Sequence, residues 1–173
     1  NQKMILKQIE NFFPRLEFLI PEIKKFQFLN QDEWNKEYGA NCSWPGLRTK
    51  NLISENVFLY EYINTLIFMN YKLFEPGNYL IETFFHLRFK EDDPKDWIHK
   101  DPEDYAGLIY LSDTNLNSGT KFYDEKENVI NDIKFIKNRG IFYSGDYLHK
   151  GYGHFGSNVQ DGRLTLNIFI SRK

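Results

Sequence analysis

The stretch Pro76-Gly77-Asn78-Tyr79-Leu80-Ile81-Glu82-Thr83-Phe84-Phe85-His86-Leu87-Arg88-Phe89 is where the chain changes its pattern. Pro-Gly breaks whatever precedes it, and the run Tyr79 to Phe89 is rich in the β-branched and aromatic residues that suit a pleated surface. Runs of the same kind follow at Tyr105 to Leu111, Thr120 to Tyr123, Ile133 to Ile136, Gly140 to Tyr143 and Leu164 to Ile170. The breaks between them are Asp92-Asp93-Pro94, Asn115 to Gly119, Asn138-Arg139-Gly140 and Gly151 to Gly162. Six or more short strands with no helical pattern between them predict a mainly β fold, an antiparallel sandwich or jelly roll.

Upstream of that point, from Asn1 to about Glu75, apolar residues recur at helical spacing, as in Ile20, Ile23 and Phe26 and again in Val57, Tyr60, Ile63 and Ile67. Two or more short helices are expected, interrupted by a loop from Gly39 to Thr49. Pro21 suits a first-turn position with Glu22 beside the positive helix end, and Ser54 suits the N-cap of a helix over Ser54 to Met69. Asn1 to Glu10 reads as an amphipathic helical or extended lead-in. The expected organisation is one domain over 1–173, in which helical support from 1–75 packs on one sheet of the β core formed by 76–173.

Composition narrows the function. The 173 residues include 16 Phe, 11 Tyr and 3 Trp, and a domain of this size buries roughly 70% of its unfolded surface, so no disulfide or metal is needed to hold it together. The net charge of −2 gives no footprint for a polyanion, which disfavours nucleic acid as a partner. A single cysteine, Cys42, excludes an internal disulfide framework and any Cys-rich metal site and fits a reducing compartment. Apolar runs such as Phe12 to Ile20 are too short or too broken to span a membrane, and the N-terminal residues do not read as a signal peptide. A cytoplasmic location is expected. Nothing in the sequence sets an oligomeric state.

The chemistry gathers around four histidines, His86, His99, His149 and His154. In Trp97-Ile98-His99-Lys100-Asp101 the residues at i and i+2 of an extended segment project from one face, so His99 and Asp101 can offer an imidazole nitrogen and a carboxylate oxygen to one point. With His149, which follows Tyr143-Ser144-Gly145-Asp146-Tyr147-Leu148, they make two His and one carboxylate, the set associated with non-haem Fe(II). The plainer reading of His-x-Asp is a loop histidine bonded to its neighbour. Asp161-Gly162-Arg163-Leu164-Thr165-Leu166 adds a cation at the start of an apolar strand, with Arg163 and Thr165 on one face. An inward Arg is costly unless it meets an anion. Either a structural salt bridge or a bound dicarboxylate meets that need, the latter through paired guanidinium hydrogen bonds with the Thr165 hydroxyl adding another.

Taken together, His-x-Asp, a distal His and Arg-x-Thr, in that order, resemble the 2-oxoglutarate and Fe(II)-dependent oxygenase superfamily. Gly107-Leu108-Ile109-Tyr110-Leu111-Ser112-Asp113 with Ser118-Gly119-Thr120-Lys121-Phe122-Tyr123 resembles the strand, glycine loop and strand of its prolyl hydroxylase-like branch. The resemblance covers about Asn78 to Lys173. It implies a double-stranded β-helix core in which His99, Asp101 and His149 hold Fe(II) and Arg163 and Thr165 bind the distal carboxylate of 2-oxoglutarate. Tyr110 and Thr120 match positions that in some relatives also reach that carboxylate, although core packing explains Tyr110 equally well. Phe89 stands where several relatives have a cofactor-contacting tyrosine.

The implied reaction hydroxylates a peptidyl or small amino-acid-like substrate with release of succinate and CO2, with ascorbate as an auxiliary reductant. The carboxylate of Asp101 favours hydroxylation over halogenation. His154 competes with His149 for the distal ligand position, but it lies between glycines and is expected to be exposed. His86 is expected to be structural. Trp44, Arg48, Arg88, Trp97 and the loop Lys150 to Gly162 are candidates to border the open face. The alternative function is a non-catalytic cupin-like metal or ligand-binding β-sandwich.

Overall fold

The computed structural model describes residues 4–173; of the lead-in Asn1 to Glu10, the first three residues lie outside this range. Within it the lead-in is extended, forming strand β1 (Ile5–Ile9). Helices α1 (Leu16–Ile23), α2 (Gln31–Tyr38), α3 (Leu52–Glu55) and α4 (Val57–Asn70) follow, with the two-residue strand β2 (Leu47–Arg48) between α2 and α3. The remaining strands are β3 (Tyr79–Arg88), β4 (Tyr105–Tyr110), β5 (Asn115–Tyr123), β6 (Val129–Phe135), β7 (Gly140–Ser144), β8 (His149–Tyr152) and β9 (Arg163–Arg172). All pairings are antiparallel, in a six-stranded sheet ordered β1-β7-β4-β9-β3-β2 and a three-stranded sheet ordered β6-β5-β8.

Strand alternation divides the larger sheet into two faces. On one, Ile81, Phe85, Leu87, Ile109, Phe142, Leu164, Leu166, Ile168 and Ile170 pack with Ile23, Leu52, Ile63, Ile67 and Phe74 of the N-terminal region into the main core. The helices therefore pack on that face. On the other, Ala106, Leu108, Tyr110, Ile141 and Tyr143 meet Phe122 and Phe135 of the smaller sheet. The two sheets thus face each other across a second apolar core, which closes one end of the space between them.

Several local expectations are corrected. Pro21 lies inside α1, not in its first turn; with no N–H to offer, it removes a helical hydrogen bond, and the helix ends at Ile23. Ser54 caps nothing at a helix start. Asn51 begins α3 by accepting from the Ile53 amide at 3.3 Å, and Asn56, in an extended conformation, interrupts the chain and begins α4 by accepting from the Leu59 amide at 3.0 Å. Asn115 to Gly119 is not a break but the irregular start of β5, where the register with β6 shifts and the extra residues are absorbed as a bulge. Lys150 to Tyr152, read partly as loop, belong to β8, a strand too short and too glycine-containing to announce itself. Among the described residues no helix is long and apolar enough to cross a membrane.

Candidate metal centre

The His99–Asp101 segment and the start of β8 are tied together by an isolated bridge: the His99 and His149 backbones each donate to the other's carbonyl at 3.0 Å. This sets the two imidazole rings 4.4 Å apart between centroids. Asp101 is pinned through its amide, which donates to the Gly145 carbonyl at 2.8 Å, and its carboxylate approaches both rings, 3.7 Å from His99 Nε2 and 3.3 Å from His149 Nε2. One ligand atom from each of His99, Asp101 and His149 lies within 4.8 Å of the others. Three donors each about 2.1 Å from one ion sit within roughly 4.2 Å of one another, so only a small contraction separates this cluster from a coordination sphere.

The tautomers suit that role. His99 Nδ1 lies 3.0 Å from the Trp97 carbonyl and His149 Nδ1 lies 2.7 Å from the Tyr147 carbonyl, each two residues back along the chain. A carbonyl only accepts, so each Nδ1 carries a proton, which in a neutral ring leaves Nε2, the nitrogen nearer Asp101, with a lone pair for a metal. Burial, reinforced by the neighbouring His149, lowers the His99 pKa, keeping that ring neutral and able to coordinate.

Arg163 starts β9 and points into the space between the sheets, 4% exposed. Its Nε donates to the Ser118 hydroxyl at 3.0 Å and one Nη to the Gly119 carbonyl at 2.8 Å, and the guanidinium lies over the rings of Phe135 and Tyr110. Among the described residues no carboxylate forms an ion pair with it, so the salt-bridge reading of this residue is not what the structure holds. Burial pushes its pKa down to about 10, which leaves it cationic at neutral pH. Two residues on, the Thr165 hydroxyl donates to Asn167 Oδ1 at 2.7 Å.

A cavity of about 370 Å³ joins these groups, with His99, Asp101, His149, Thr120, Arg163 and Thr165 all on its wall. Tyr110 is not on it. Its ring is wholly buried and its hydroxyl is satisfied by Thr120 Oγ1 at 2.8 Å and the Ile133 carbonyl at 3.3 Å, with burial pushing its pKa up to about 12. It touches the cavity only through Thr120. Phe89 packs at the edge of the main core, away from this space.

His154 corrects an expectation. It is 5% exposed, not solvent-facing, because its Nε2 pairs with Asp96 Oδ2 at 2.9 Å and its amide donates to Asp93 Oδ1 at 3.0 Å. The glycine-flanked loop is held by carboxylates that the local sequence does not reveal. His86 is buried on the cavity wall, receiving the Asn167 amide at 3.2 Å. Asn167 itself was missed, although the alternation Arg163, Thr165, Asn167 on one strand face points to it. Trp44, Arg48, Arg88 and Trp97 do line the cavity, together with Glu82, Asp96 and Glu103, for which the sequence carries no signal.

No family model and no curated protein matches this chain by sequence. Solved structures do match. A Pseudomonas putida prolyl-4-hydroxylase is 14% identical, with 96% of this chain and 92% of that one covered at a TM-score of 0.57. HygX from Streptomyces hygroscopicus, solved with nickel and 2-oxoglutarate bound, is 11% identical over 95% and 81% at 0.64. A prolyl hydroxylase from Trichoplax adhaerens, solved with a hypoxia inducible factor peptide fragment, is 14% identical over 95% and 82% at 0.61. The fold is that of the 2-oxoglutarate and Fe(II) oxygenases, prolyl hydroxylases among them.

Proposed function

We propose that this chain is an Fe(II)- and 2-oxoglutarate-dependent dioxygenase, built on a double-stranded β-helix within one domain, that hydroxylates an amino-acid-like or peptidyl substrate. The observation that carries the reading is the pairing, across one cavity, of a His99–Asp101–His149 donor cluster with a buried Arg163 that has no acidic partner. Either feature alone has ordinary explanations. Together they fit a metal next to a dianion, and the donor set of two neutral imidazoles and one carboxylate leaves coordination positions open on an iron.

Within that reading, His99 and His149 coordinate through Nε2 while the Trp97 and Tyr147 carbonyls hold their Nδ1 protons and keep each ring from turning. Asp101 supplies the carboxylate oxygen. Arg163, preset by Ser118 and Gly119, receives the distal carboxylate, and Thr165 joins it by turning its hydroxyl proton away from Asn167. Thr120 borders the same end of the cavity, and Tyr110 acts behind it by fixing its hydroxyl. Bound there, Fe(II) and 2-oxoglutarate would supply, with dioxygen as the oxidant, the oxidative decarboxylation in which one oxygen atom goes to succinate as CO2 leaves and the other is inserted into a substrate C–H bond.

The test is succinate release with Fe(II), 2-oxoglutarate and oxygen. Release that needs all three and is lost in His99→Ala supports the oxygenase; a protein that binds metal but never turns over 2-oxoglutarate, even uncoupled from substrate, is the cupin-like binding module instead.

A further inference from the structure

The wall of the cavity farther along β3, toward β2, carries groups that the metal and the dianion leave unused. Arg48 is fixed by its backbone, which pairs with Leu29 in both directions and with His86 of β3. Its guanidinium stacks over Trp44, 4.5 Å from the ring centroid, with Trp34 and Phe84 each at 5.6 Å. Among the described residues it has no hydrogen-bonded acceptor and no ion pair, and its Nε is buried without a partner. The indole N–H of Trp44 is likewise buried and unpartnered. Two orphaned donors stacked on one another call for an acceptor, and the guanidinium charge makes an anion the best one.

Glu103 has the opposite need. Its Oε2 is buried with no donor, and it shares the cavity wall with Glu82 and, two residues away, Asp101. Arg48 and Glu103 act on one another electrostatically but do not meet as a pair. Of the six buried side-chain polar atoms lacking a partner among the described residues, four belong to residues of this one cavity: Trp44, Arg48, Glu103 and His154. Opposite charges left apart in a shared cavity are complementary to a molecule carrying both. At about 370 Å³ the space lies near the lower end of ligand cavities, and a dicarboxylate cosubstrate takes part of it. What remains has room for a small molecule.

We infer that the substrate is a free amino acid bound as a zwitterion, its carboxylate on Arg48 and the Trp44 indole N–H and its ammonium on Glu103 with Glu82 beside it. This rests on the oxygenase reading for the meaning of the word substrate, but the zwitterion site itself stands on Arg48, Trp44 and Glu103. It distinguishes free amino acids from peptidyl targets, in which both end charges are lost to amide bonds.

The experiment is calorimetric titration of the full chain, loaded with Fe(II) and 2-oxoglutarate under nitrogen, with the twenty common free L-amino acids, their N-acetyl derivatives and their carboxamides. At least one free amino acid should bind, with either cap weakening it tenfold or more. Arg48→Gln should erase the penalty for the carboxamide, Glu103→Gln should erase the penalty for N-acetylation, and Arg48→Lys should retain most of the discrimination. Binding of an N-acetyl derivative or a carboxamide as tight as the free form, or no binding by any free amino acid, overturns the inference. The iron–2-oxoglutarate absorption band, followed in the same samples, separates the two readings: amino-acid binding without the band sinks the oxygenase and keeps the zwitterion site, whereas the band without such binding does the reverse.

Discussion

On β3 and β9, Ile81, Phe85, Leu164 and Leu166 turn toward the helices, while their neighbours Glu82, His86, Arg163 and Thr165 turn toward the cavity. One face of this sheet is closed, apolar and held by packing. The other borders a cavity that keeps a cation without an anion, two stacked orphan donors and a carboxylate oxygen without a donor. Alternation with a period of two lets a single strand serve both ends, so the stability that packing supplies on one side can sustain unsatisfied charge on the other. Substitutions on the two faces should therefore separate folding from function.

The sharpest contrast is between Phe85→Ala and His99→Ala. Phe85 is completely buried, and its truncation should cost about 3–5 kcal/mol in urea unfolding, whereas His99→Ala should abolish succinate release and change unfolding by no more than about 1 kcal/mol. A large loss of stability in His99→Ala would mean that the cavity face also holds the fold. Next comes Arg163→Ala, which removes the charge facing the dianion and should raise the 2-oxoglutarate requirement by about 2–5 kcal/mol, roughly thirtyfold to several thousandfold. An unchanged requirement would place the anchor elsewhere. Thr165→Val removes only one hydroxyl and should raise that requirement by about 1 kcal/mol, several-fold; a loss as large as that of Arg163→Ala would show that Thr165 organises more than one hydrogen bond.

The smallest effect concerns pH. Burial pushes the Asp96 carboxyl up, but the His154 ring and the Arg88 guanidinium outweigh burial and hold its pKa below the ordinary 3.8. A carboxylate with a depressed pKa stabilises the fold above its unfolded value, and that contribution is lost as pH falls through the folded value. Acid unfolding below about pH 3.8 should therefore be less steep in Asp96→Asn than in the parent. Equal slopes would mean that the ring and the guanidinium do not hold this charge.

Local pattern made the β face readable. Runs such as Tyr79 to Phe89 and Leu164 to Ile170 alternate and are bounded by turn residues, so the strands and the shared face of Arg163 and Thr165 follow from spacing alone. Irregularity hid the rest: the bulge at the start of β5 and the four-residue β8 form because partner strands accept them. The helix starts at Asn51 and Asn56 were masked by Ser54, an equally acceptable capping residue whose neighbours gave no reason to reject it. The burial of His154 leaves no local trace, because Asp93 and Asp96, which fix it, lie some sixty residues away. Glu103 and the Arg48–Trp44 stack are products of tertiary assembly, and no sequence spacing announces them.

The most direct test of the central claim, that His99, Asp101 and His149 converge on one iron beside a dianion held by Arg163, is an anaerobic titration of the full chain with Fe(II) and 2-oxoglutarate followed by visible absorption. The account predicts a metal-to-ligand band that saturates at one iron per chain, is absent in His99→Ala and needs more 2-oxoglutarate in Arg163→Ala. No band in the parent protein, or a band unchanged in His99→Ala, would contradict it.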